Sequence, residues 1–197
     1  MPALNELVSR RKEREGQFTK MKKYLPLLTA IILFAVIHEG AHAAVAYLLD
    51  EYAAFRVHFY GFEVIYKTPV AEREGIVWVY VAGISNVLTL TIGYVFFILR
   101  KVLVWIPNRF FNRLCYWVIF VFMLFDPFNL SIIPFFFGGD IGGIAHGLGI
   151  NRYLIQSIFF AVLLINRELI IHKLFPLYGI KTKHLLFQPI FRVKGEP

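Results

Sequence analysis

Four apolar runs alternate with short polar stretches along this 197-residue chain: Tyr24–Leu49, Ile76–Leu99, Leu114–Pro134 and Tyr153–Ile171. A helix needs about 20 such residues to cross the hydrocarbon core of a bilayer, so the pattern predicts four transmembrane helices. Asp126, Pro127 and Asn129 interrupt the third run, which predicts a broken helix there. A Gly-rich stretch, Gly138 to Gly149, separates the third run from the fourth. Between the first two runs the period changes from continuous to alternating. Phe55-Arg56-Val57-His58-Phe59-Tyr60 alternates, Gly61 interrupts, and Phe62-Glu63-Val64-Ile65-Tyr66 resumes. Alternation of this kind predicts a short β-hairpin, here at the membrane surface. The expected fold is therefore an α-helical polytopic membrane protein with about four transmembrane helices and a small β-hairpin between the first and second.

Composition agrees: 58% of the residues are hydrophobic and mean hydropathy is +0.61, outside the range of soluble domains. The net charge of +8 alone would suit nucleic acid, but the basic residues cluster at the ends of the apolar runs. Lipid headgroups and topology explain that placement, and no nucleic-acid partner is expected. Seven Lys/Arg precede the first run, four lie between Arg100 and Arg113, and six follow from Arg167. The opposite side receives only Arg56, Lys67, Arg73 and Arg152. This asymmetry predicts cytoplasmic N- and C-termini. The chain divides into a basic cytoplasmic lead (1–23), a membrane-embedded core (24–175) and a cytoplasmic tail (176–197). Its small size points to a prokaryotic cell membrane. Cys115 stands alone, so the chain carries no disulfide framework of its own.

Inside the first run stands His38-Glu39-Gly40-Ala41-His42, an HExxH pattern. Residues four apart share one face of a helix, so the two imidazoles can meet one metal ion, with zinc the ion this pattern usually holds. Glu39 then stands where a carboxylate can take a proton from water. Ionisable groups at membrane depth are costly and mark a functional site. A catalytic zinc takes three protein ligands and keeps one position open. The candidates for the third are Asp140, Asp126 and His146. Asp140 is favoured because its small neighbours let another helix approach closely and because a carboxylate suits a helix start. Asp126 could instead cap the break at Pro127, and His146 could be satisfied by a backbone carbonyl.

Two further patterns make a family resemblance. Val81-Ala82-Gly83-Ile84-Ser85-Asn86-Val87 resembles the Ala-Gly-Pro-x-x-Asn signature of the site-2 protease family of intramembrane zinc metalloproteases, with Ile84 where that family has proline. Asn129, Pro134 and Asp140 resemble its Asn-x-x-Pro stretch leading to Leu-Asp-Gly, more widely spaced here and with Gly139 in place of the leucine. The resemblance implies His38, His42 and Asp140 as zinc ligands, Glu39 as general base and Asn129, with Asn86, in the substrate groove. Structural roles are also open for both asparagines: a hydrogen bond between helices for Asn86, and for Asn129 satisfaction of a carbonyl freed by Pro127.

The function expected is zinc-dependent hydrolysis of peptide bonds within or near the transmembrane segments of membrane protein substrates. The free edge of the hairpin would pair with an extended stretch of substrate. Two other readings compete. Gly83-Ile84-Ser85 and Ala145-His146-Gly147 are similar to the serine and histidine elements of rhomboid proteases, with Ser85 as nucleophile and His146 as base. Alternatively, the chain is a non-catalytic zinc-containing membrane protein that binds other membrane proteins.

Overall fold

A computed structural model describes residues 2–59, 61–69 and 72–190. Tyr60 of the expected hairpin and residues 191–197 of the expected tail lie outside the described residues. The chain runs through α1 (Pro2–Leu48), a hairpin of β1 (Tyr52–His58) and β2 (Gly61–Tyr66), α2 (Ile76–Leu103), α3 (Arg109–Ser131), α4 (Asp140–Leu148) and α5 (Arg152–Leu169). A π-helical stretch, Ile170–Leu174, and a last turn, Phe175–Leu177, prolong α5. Four helical segments are long and apolar enough to cross a membrane: Lys23–Leu48, Ile76–Leu103, Arg109–Phe135 and Arg152–Leu177. Each contains most of one apolar run. Leu28, Ile32, Val36, Val87, Val95, Ile98, Ile158 and Ile165 point outward along them, an apolar exterior that suits lipid rather than water.

Helix ends follow local chemistry. The Asn108 side chain accepts hydrogen bonds from the backbone N–H groups of Phe110 and Phe111, and that of Asn151 from Tyr153, so both asparagines cap helix starts. Arg100 and Lys101 occupy the last turn of α2, where a positive charge is favourable. The hairpin is antiparallel, with Arg56 opposite Glu63 and Val57 opposite Phe62. It is longer than the alternation predicts at its first strand, which begins at Tyr52, and Gly61 opens the second strand rather than sitting between the two. Its far end is tied to the end of α1: Lys67 N–H donates to the Glu51 carbonyl at 2.8 Å, and Thr68 donates to the Glu51 carboxylate.

The central helix is α3, which packs against α1, α2 and α5. Phe122, Val118 and Val121 meet Ala30 of α1, while Ile119 and Met123 meet Phe97 of α2 and Ile170 and Leu174 beyond α5. The interruption expected at Asp126-Pro127-Asn129 is absent: α3 runs unbroken to Ser131 with Pro127 inside it. Proline supplies no N–H to the carbonyl four residues back, which is that of Met123. Asn166 of α5 fills the gap, donating to the Met123 carbonyl at 2.7 Å and accepting from the Tyr94 hydroxyl at 2.7 Å. The satisfying amide is thus Asn166, not Asn129.

Candidate functional site

Three elements build the site. α1 contributes His38 and His42 on one face, one turn apart, with ring centroids separated by 4.9 Å. Phe34, a turn earlier, stacks on His38. α4 contributes Asp140 at its first position. Its carboxylate lies 3.2 Å from the Nε2 atoms of both histidines. One ligand atom from each of His38, His42 and Asp140 lies within 4.8 Å of the others, so this group could hold a metal ion.

Asp140 reaches the histidines because α4 lies almost in backbone contact with α2. A Cβ on Gly147 would fall 2.5 Å from Cγ2 of Val79 and 2.8 Å from the Gly75 carbonyl oxygen; on Gly143 it would fall 2.7 Å from the Cβ of Ala82. The two glycines are four apart and form one seam, the close approach that small residues permit between membrane helices. Gly139, at φ +138°, turns the chain into α4 in a conformation that favours glycine.

Around the three candidate ligands lies a second layer of polar groups. Nδ1 of His42 donates to the Val81 carbonyl at 2.6 Å, and its Nε2 lies 2.9 Å from the Ser85 hydroxyl. With the proton on Nδ1, Nε2 presents a lone pair towards Asp140. Two imidazole nitrogens and a carboxylate that converge in this way are a donor set that fits a metal ion. Asn86 is buried and donates from Nδ2 to the Asp140 carboxylate at 3.0 Å and to the Ala82 carbonyl at 3.0 Å. It therefore stands behind Asp140. Asp126, wholly buried, lies on the other side of His38, with Oδ1 3.2 Å from Nδ1.

Glu39 lines a cavity of about 560 Å³ together with His42, Asp140, residues 62–66 of β2, Arg73 and Trp78. Among the described residues its carboxylate has no hydrogen-bond partner, and it is left facing that space. The Arg73 guanidinium lies over the rings of Tyr66 and Trp78, 4.8 and 4.6 Å from their centroids. Burial, reinforced by the charges of Asp140 and Glu39, raises the Tyr66 hydroxyl above its usual range, so it remains a neutral donor at the cavity wall.

The remaining candidates fall elsewhere. His146 is exposed and lines a separate cavity of about 280 Å³ with Arg152. It is not paired with Ser85, whose hydroxyl is buried against His42 and Asn86; the serine–histidine pair required by the rhomboid-like reading is not assembled. Asn129 sits in the last turn of α3 beside Gly139, and it is not among the residues lining the Glu39 cavity. Tyr66, Arg73, Trp78 and Thr89 were not singled out by motif. For Thr89 a signal exists: Ser85, Asn86 and Thr89 form a polar stripe at helical spacing within an otherwise apolar run. Compared with models of protein families, with curated proteins and with solved structures, the chain matches none.

Proposed function

We propose that this protein is an intramembrane zinc metalloprotease, hydrolysing peptide bonds within or near transmembrane segments of other membrane proteins. The observation that carries the reading is the convergence of Asp140 on both HExxH histidines beside the cavity that Glu39 faces. Two imidazoles and a carboxylate are a catalytic zinc donor set that leaves one position open. A bound zinc would acidify a water and polarise the scissile carbonyl.

The chain's own residues supply the rest. Glu39 accepts the proton of the attacking water on its carboxylate and passes it to the departing amide nitrogen. A substrate helix hides its carbonyls in internal hydrogen bonds, so it must unwind before attack. β2 lines the cavity, and the two-stranded sheet leaves its outer edge able to pair with an unwound segment. Glu63, Thr68 and Arg73 make the cavity polar enough to admit water. The excess of Lys/Arg before α1, between α2 and α3, and after α5 supports cytoplasmic termini and a multi-pass arrangement.

The test compares wild type and Glu39→Gln, purified in detergent, against a panel of single-span helical substrates. Glu39→Gln is expected to keep one zinc per chain and lose cleavage by at least about 100-fold, the usual effect of removing a general base. Undiminished cleavage by Glu39→Gln would reject the mechanism. Stoichiometric zinc without cleavage by wild type would leave a metal-binding membrane protein that is not a protease.

A further inference from the structure

Asp126 is fully excluded from solvent in the last third of α3, where an ionisable group in an apolar span is expensive and needs a reason. Its two oxygens are used differently. Oδ2 accepts a hydrogen bond from the hydroxyl of Thr89, itself wholly buried on α2. Oδ1 lies 3.2 Å from Nδ1 of His38, and both atoms are buried with no hydrogen-bond partner among the described residues. The opposite nitrogen of the same ring, Nε2, points to Asp140. The His38 imidazole thus lies between two carboxylates, one beside the candidate metal position and one behind the ring.

We infer that Asp126 is a positioning residue for the metal site: it holds the proton of His38 on Nδ1, fixes the ring plane, and so keeps Nε2 available as a ligand. Thr89 in turn orients Asp126. The inference rests on the reading that His38, His42 and Asp140 hold a metal. It assigns Asp126 a role outside the ligand set, since its carboxylate reaches His38 only from the far side of the ring. Metal-binding histidines generally donate their other N–H to a carboxylate or carbonyl, and this partner raises their basicity. The two histidines here divide these options: Nδ1 of His42 has the Val81 carbonyl, and the polar atom nearest Nδ1 of His38 on that side is the carboxylate of Asp126. The anionic partner adds negative charge close to a divalent cation.

The experiment measures zinc affinity by chelator competition on the full-length protein in detergent. It also records the visible absorption of the cobalt(II)-loaded form, which reports ligand number and geometry. Variants are Asp126→Asn, Asp126→Leu and, for comparison, Asp140→Ala. Asp126→Asn keeps the shape and is expected to weaken zinc binding about 10-fold, and Asp126→Leu by up to about 100-fold, the range typical of outer-layer partners. Both should still saturate at one metal per chain and keep the tetrahedral cobalt bands that Asp140→Ala loses. Asp126→Asn with wild-type affinity would overturn the inference while leaving the metal site standing. Loss of the cobalt bands in Asp126→Asn, in protein of unchanged helicity, would also overturn it, by making Asp126 a ligand. No zinc or cobalt bound by wild type would overturn both this inference and the proposed function.

Discussion

Gly147 and Val79 stand so close that a Cβ on the glycine would fall 2.5 Å from Cγ2 of the valine and 2.9 Å from its backbone nitrogen. This contact belongs to the seam between α4 and α2 that sets how close Asp140 comes to the histidines. Gly142, on the same helix, has nothing within 4 Å of the corresponding position. Gly147→Ala should therefore force α4 away from α2, at a cost of about 1–3 kcal/mol typical of overpacking, and weaken zinc binding although it touches no ligand. Gly142→Ala should leave affinity unchanged. Isothermal titration of the two variants checks this, and equal affinities would show that the seam does not govern the site.

The third ligand can be separated from its sequence rivals. Asp140→Ala is expected to abolish tight zinc binding, because it deletes one of only three protein donors. His146→Ala should bind zinc as wild type does, since His146 is exposed and lines a different cavity. Metal analysis after gel filtration reads both. Zinc retained by Asp140→Ala and lost by His146→Ala would reverse the assignment.

Ser85 offers a test between hydrolytic chemistries. Its buried hydroxyl lies 2.9 Å from Nε2 of His42 and not beside His146, and a metal held by that nitrogen would take up the lone pair the serine would need as base. Ser85→Ala should keep measurable cleavage, and a zinc chelator should remove cleavage from wild type, with added zinc restoring it. Chelator-resistant cleavage that disappears in Ser85→Ala would instead require serine chemistry.

Asn166 and Pro127 form a stabilising pair away from the site. Asn166→Ala removes the donor to the Met123 carbonyl and leaves that carbonyl unsatisfied among apolar side chains, a loss of about 1–2 kcal/mol. In a Pro127→Ala background the same substitution should be milder, because residue 127 regains an N–H for that carbonyl. A double-mutant cycle on thermal unfolding in detergent measures the coupling; additive effects would contradict the account.

Much of this architecture is legible in the chain itself. Apolar run length predicts the four long helices, because each helix in lipid must satisfy its backbone internally and present apolar side chains over some 30 Å. The alternation at Phe55–Tyr66 marks the hairpin, and HExxH spacing places two imidazoles on one face of α1. The break expected at Pro127 is absent for a physical reason. A proline in an apolar run suggests a break, and only the neighbouring helix reveals Asn166 occupying the vacant bond.

What the sequence alone determined is local: which apolar runs are helical, which pair of histidines shares a face, and that Glu39 lies between them. Tertiary structure decided the rest. Asp140, Asp126 and His146 are equally polar residues in the same half of the chain. Only the packing of α4 on α2 and of α3 on α1 distinguishes the carboxylate among the candidate ligands from the one behind His38 and from the exposed imidazole. That sorting depends on distances across as many as 102 residues of sequence. Such distances are set by how closely glycine seams and core side chains let helices approach, and no local pattern encodes them.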